Sequence, residues 1–186
     1  FGVKISDKNE SRFFPVDIFY RDETLYVLDI NGRVYLFNEN GEIIRGKKYN
    51  KGKLINELSG AKTLFADEEY IYVADSGNNR VQIFDKEGNG VREIGYKGNY
   101  SGVLKNPEGV IVNKDEIVIS DTDNNTVSIF DKNGNFKYDI ESSEEKNGNF
   151  KRPKGISIGE DRKIYIIDSG NSRVKVYDEN YKFLYA

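Results

Sequence analysis

Residues 75–89 read DSGNNRVQIFDKEGN, with an aspartate, a hydroxyl, adjacent amides and an arginine inside six positions. Alone, the cluster would pass for a catalytic site. The chain repeats it. DTDNNTVSIFDKNGN begins at Asp121, DSGNSRVKVYDEN at Asp168, and a worn copy, DINGRVYLFNENG, at Asp29. A catalytic group is needed once, whereas a repeated constellation serves a repeated fold. Asp29, Asp75, Asp121 and Asp168 are spaced by 46, 46 and 47 residues. The chain's three prolines, Pro15, Pro107 and Pro153, fall 14, 14 and 15 residues before their aspartates, with Ala61 in the second copy's place. A period of about 46 residues is the mark of a repeat architecture.

Each repeat divides into four short strands, a to d. Strand a follows the proline (VDIFY, KTLFA, EGVIV, KGISI), where a missing N–H is tolerated at the first residue. Strand b is LYVL, IYVA, IVIS or IYII, β-branched and aromatic as strands require. Strand c is RVYLF, RVQIF, TVSIF or RVKVY, with a variable middle residue as on a two-sided strand. Polar turns lead to strand d: EIIRG, VREIG, FKYDI and FLYA. Four-stranded units at this period, with no helical pattern, predict an all-β β-propeller of four antiparallel blades.

The stretches YVADSGNNRVQIFDKEGN and YIIDSGNSRVKVYDEN, with the openings PEGVIV and PKGISI, resemble the NHL repeat. The resemblance covers essentially the whole chain. It departs in the third repeat, where Thr126 replaces the arginine. In the first repeat the b–c turn is one residue shorter and Asn38 replaces the Asp after Phe. It implies an NHL-type propeller occupying residues 1–186 as a single domain, with repeat cores at about 15–60, 61–106, 107–152 and 153–186. Residues 1–14 would supply a strand d or interblade segment. Such rings usually have six blades, so four imply either a closed four-blade ring or part of a larger one, completed by further blades or by another chain. NHL propellers commonly bind proteins, RNA or other ligands through one face.

Composition narrows the chemistry. Of 186 residues, 37% are hydrophobic and 32% charged, enough for a sizeable core. There is no Cys and no His, which removes the thiol nucleophile, the commonest general base and the commonest zinc ligand. The NHL-like lyase of peptide amidation holds its metal by histidines, so its mechanism does not carry over. Carboxylate-based carbohydrate cleavage has no unrepeated acid pair to support it. No enzyme activity, no cofactor and no metal site are expected. Asp121, Asp123 and Asn125 have the spacing that begins a calcium loop, but Thr126 and Lys132 stand where that loop needs Gly and Glu. The net charge of −3 disfavours nucleic acid. No Met occurs, so Phe1 is not a translation start and a processed chain is expected, extracellular, cell-surface or periplasmic. Asn9, Asn99 and Asn124 open glycosylation-type triplets, meaningful only in a glycosylating compartment.

The repeated residues Asp29, Asp75, Asp121 and Asp168, with Arg33, Arg80 and Arg173, are read as structural. The aspartates should cap turn amides as Asx turns do. Gly77 and Gly170, with the asparagines, should take positive φ. Arg80 should reach a neighbouring blade. In a propeller the a–b and c–d turns share one face, and here they hold 15 acidic against six basic residues. The opposite face, built of b–c turns and interblade loops, is left basic. On it, Lys53, Lys97, Lys105, Lys151 and Arg152 are the candidate contacts for an acidic protein or glycan, with Tyr96, Tyr100 and Phe150 as apolar anchors. The alternative partner is RNA, stacked on those aromatics.

Overall fold

A strand can bury both of its faces only between other sheets, and the repeats achieve this by standing four sheets side by side. The computed structural model describes residues 14–95, 101–140 and 148–186. Blade 1 comprises β1 (Pro15–Arg21), β2 (Thr24–Asp29), β3 (Arg33–Phe37) and β4 (Ile43–Lys48). A short parallel pair, β5 (Asn50–Lys51) and β6 (Glu57–Leu58), shapes the loop that follows. Blade 2 comprises β7 (Thr63–Ala66), β8 (Tyr70–Asp75), β9 (Arg80–Asp85) and β10 (Gly90–Ile94). Blade 3 comprises β11 (Pro107–Asn113), β12 (Glu116–Asp121), β13 (Thr126–Asp131) and β14 (Phe136–Asp139). Blade 4 comprises β15 (Pro153–Ile158), β16 (Ile164–Asp168), β17 (Arg173–Tyr177) and β18 (Phe183–Tyr185). Each sheet is an antiparallel meander, as expected of a β-propeller.

The proline-to-aspartate spacing is a register. Pro15 stands opposite Asp29, Pro107 opposite Asp121 and Pro153 opposite Asp168. These pairs lie at the open end of each a–b hairpin, so the missing N–H of proline falls at the end of the ladder. The first strands line up from blade to blade, β1 on β7, β7 on β11 and β11 on β15. Between blades 1 and 2 lie Leu28, Val34, Leu64, Ala66 and Phe84; a larger cluster runs through blades 2 to 4, including Tyr72, Val81, Val110, Ile119 and Phe130. The strand-c aromatics Phe37, Phe84, Phe130 and Tyr177 are all buried. At about 25 cal/mol per Å², these layers supply the main drive for folding.

Two expectations about the b–c turns are corrected. Asp29 does cap its own turn, accepting from Asn31 N at 2.7 Å. Asp75, Asp121 and Asp168 accept from the side-chain amide of their own turn's Asn78, Asn124 and Asn171, but their backbone donors come from the preceding interblade loop, Ser59 (2.6 Å), Lys105 (2.7 Å) and Lys151 (2.7 Å). Their turns are single 3-10 turns, Ser76–Asn78, Thr122–Asn124 and Ser169–Asn171. Each is closed by its own backbone, as Asn79 N donates to Ser76 O, so the carboxylate is free to reach outward. Nor do Gly77 and Gly170 take positive φ; Asn79 (56°), Asn125 (59°) and Ser172 (53°) do. The glycines are needed for space. A Cβ on Gly77 would meet Ser59 O at 2.6 Å, and one on Gly170 would meet Lys151 O at 2.7 Å.

Candidate functional site

The repeated cluster is a buried brace. Arg80 donates from Nε to Asp75 at 2.8 Å, from NH1 to Glu93 and Lys53 O at 2.7 Å each, and from NH2 to Leu54 O and Glu57 O. Its planar fork thus ties strand c to strand d and to the loop between blades. Arg173 makes the same 2.8 Å contact with Asp168, and Arg33 NH1 lies 3.9 Å from Asp29. Burial alone would raise the Asp168 carboxyl. Asn171, the Lys151 N–H and Arg173 bring it below the usual range.

Blade 3 breaks the pattern. Thr126 brings no cation, and among the described residues Asp121 is held by Lys105 N and Asn124 Nδ2. Burial, with the nearby Asp139 and Asp123 charges, pushes its carboxyl up to about 6. The space an arginine would fill opens into a groove of about 1540 Å³ between blades 3 and 4. Its walls are the b–c turns of those blades (Asp123 to Thr126, Asn171 and Arg173) and the loop between them (Gly148 to Arg152), with Lys105 and Ile140.

Of the sequence candidates, Lys105, Phe150, Lys151 and Arg152 meet in this groove. Lys53 does not; it lines a smaller recess of about 210 Å³ with Asn78, Asn79 and Leu104. Lys97, Tyr96 and Tyr100 lie outside the described residues. Phe150 is no projecting anchor. It is buried, its ring 6.2 Å from that of Tyr177, with Lys175 Nζ 4.2 Å from its centroid. Arg152 pairs with Asp123 at 3.4 Å. Among the described residues, Lys105 and Lys151 have no ion-pair partner and are exposed. Arg173, read only as scaffolding, also lines the groove; the signal for it was the Thr126 gap beside it.

The opposite face is cross-linked instead. Arg21 pairs with Glu68, Lys132 with Asp67 and Asp115, and Lys114 and Arg162 both with Glu179. Its acidity is thereby partly cancelled within the molecule. Among the described residues, no cluster of three or more Asp or Glu is arranged to hold a metal ion.

A family described as a 6-bladed beta-propeller matches residues 101–186. No curated protein matches the chain. Among solved structures, the chain is similar to a catalytically inactive histidine-to-alanine variant of virginiamycin B lyase from Staphylococcus aureus with quinupristin. The identity is 16% and the TM-score 0.66, covering 92% of this chain and 55% of that one. A protein of unknown function from Bacteroides caccae gives 9% identity and a TM-score of 0.69, covering 92% and 65%. A nidogen/laminin complex gives 14% and 0.67, covering 89% and 61%. The chain thus spans between half and two thirds of each of these proteins, and the likeness is one of fold.

Proposed function

We propose that the chain is a non-enzymatic binding scaffold of NHL type that takes an acidic ligand, foremost a carboxylate-rich protein segment, in the groove between blades 3 and 4. One observation carries this reading. Among the described residues, Lys105 and Lys151 stand exposed and without ion-pair partners in a groove with Arg152 and Arg173, while the acidic face is braced by its own cations. Binding residues concentrate on loops held by a rigid frame, and this groove is built of loops on two packed blades. Nidogen, a propeller of similar fold seen in complex with laminin, supports a protein as the partner. The lyase with quinupristin is inactive in its histidine variant, and this chain contains no histidine. RNA is disfavoured because Phe150, the described candidate for base stacking, is buried. An extracellular or periplasmic setting suits such a scaffold; among the described residues no helix is long and apolar enough to cross a membrane.

The test is titration with polyglutamate at several salt concentrations. Reversing Lys105, Lys151 and Arg152 to Glu should weaken binding at least tenfold and flatten its salt dependence, with the melting temperature unchanged. Reversing Glu68, Glu69 and Asp115 to Lys should leave binding intact. Loss of binding in that second variant alone would place the site on the other face.

A further inference from the structure

The repeats provide an internal control for what the turn aspartate holds. In blade 2, Asp75 and Glu93 share one guanidinium. Arg80 donates to Asp75 from Nε at 2.8 Å and to Glu93 from NH1 at 2.7 Å. Blade 3 keeps both acceptors. Asp121 stands opposite Thr126 as Asp75 stands opposite Arg80, and Asp139 stands opposite Ser128 as Glu93 stands opposite Gln82. Thr126 and Ser128 are two residues apart on one strand, so the two carboxylates share a face of the sheet. The 3.4 Å between Thr126 Oγ1 and Ser128 Oγ agrees.

What blade 3 lacks is the cation. Among the described residues, Asp139 accepts from Ser128 Oγ at 2.6 Å, and no Lys or Arg pairs with it or with Asp121. Burial, then the charges of Asp139 and Asp123, leave the Asp121 carboxyl at about 6. The place is also open. Arg80 is wholly buried, whereas Thr126, a much smaller side chain at the same register, is half-buried and lines the groove. Arg173, on the same groove, is committed to Asp168 at 2.8 Å in blade 4's own copy of the cluster. The groove therefore combines a basic rim, Lys105, Lys151 and Arg152, with an acidic recess at Thr126.

Resting on the reading of this groove as the binding site, we propose that the recess of Asp121 and Asp139 is a vacated guanidinium seat that takes an arginine side chain from the acidic ligand. A planar fork bridges two carboxylates, as Arg80 does, where an ammonium meets them as a single point. A buried charge without a partner is costly, and the arriving guanidinium compensates one that blade 3 leaves unpaired. Carboxylates flanking that arginine lie over Lys105 and Lys151. The ligand is thereby narrowed from an acidic segment to one with an arginine set among acidic residues.

The test is fluorescence anisotropy with a labelled glutamate-rich peptide carrying one central arginine, against the same peptide with citrulline, a neutral isostere, in its place. The arginine peptide should bind the parent chain at least about tenfold more tightly, the worth of a charge-assisted hydrogen bond, although its net charge is less negative. A basic rim alone would favour the citrulline peptide, so the order of the two separates the seat from the rim. Thr126→Arg fills the seat from within and Asp139→Asn removes one of its walls. Each should erase the arginine preference and leave the citrulline peptide bound. Equal or tighter binding of the citrulline peptide by the parent would overturn the seat and leave the groove standing. So would an arginine preference that survives in Thr126→Arg. Binding of neither peptide would overturn the seat and the groove together.

Discussion

Arg80 donates from Nε to Asp75 Oδ2 over 2.8 Å, with both side chains wholly out of solvent. Removing one partner of such a pair leaves the other charge buried and uncompensated. Asp75→Ala should therefore cost about 3–5 kcal/mol, more than the loss of a turn cap. Replacing both partners with apolar residues should recover part of that cost, as read by urea unfolding at neutral pH.

Asp121 offers the converse experiment, because blade 3 has Thr126 where an arginine would stand. Its carboxyl is pushed up to about 6 when folded, from 3.8. Stability linked to the protonated group is therefore fully present below about 3.8 and lost as pH rises through about 6. The effect is on the order of 2–3 kcal/mol. Thr126→Arg, entering the open groove, should bring the carboxyl down as Arg173 helps to do at Asp168. Relative to the parent, the variant should gain stability at pH 7.5 and not at pH 4.5, measured by urea unfolding at both.

Gly77→Ala tests whether the glycine serves space. The added Cβ would meet Ser59 O at 2.6 Å, and that carbonyl accepts from Gly77 N at 2.8 Å. Asp123 occupies the same position in blade 3, where the matching bond to Lys105 O is 3.1 Å. The loop can therefore step back, and the cost should be about 1–2 kcal/mol. Asp123→Gly, which removes no such clash, should gain nothing through this contact; calorimetric melting of both variants checks the pair.

Lys175 is fully buried on strand c, donating to Gly148 O beneath the loop that carries Phe150. Burial, with the Arg173 charge beside it, holds its amine below the usual lysine range, against the pull of Asp168. Lys175→Met keeps the stem and removes the desolvated charge, so it should stabilise the fold by about 1–2 kcal/mol. Thermal melting at pH 7 reads the gain, which should shrink as pH rises past 10.5, above which the lysine is mostly neutral in both states.

What repeats in this sequence was legible, and what happens between repeats was not. The proline–aspartate spacing gave the hairpin register because it is local and written three times. The buried Phe84 and Phe130 followed from strand alternation. The contact between Asp75 and Ser59 could not be read, because the interblade loops share no sequence and only the folded approach brings the two together. Gly77 was assigned to backbone freedom for the same reason. Phe150, an aromatic in a basic loop, suggested an exposed anchor, but the loop folds back and spends the ring on Tyr177. The groove was legible only through its ingredients: the basic loop residues and the missing arginine at Thr126.

The b–c turns of blades 2 and 3 hold backbone on both sides of their own blades. Asp75 grips Ser59 from the loop before it, while the adjacent Ser76 grips Pro107 at the start of the strand after it. Thr122, beside Asp121, does the same between Lys105 and Pro153. In a linear repeat array, units can unravel singly when intrinsic stability outweighs the coupling between neighbours. Here the residues that order a turn are the ones that fasten its neighbours, so a blade cannot melt without releasing the two beside it. Cooperativity is thus written into the motif itself, and heat should dismantle blades 2 to 4 in one transition.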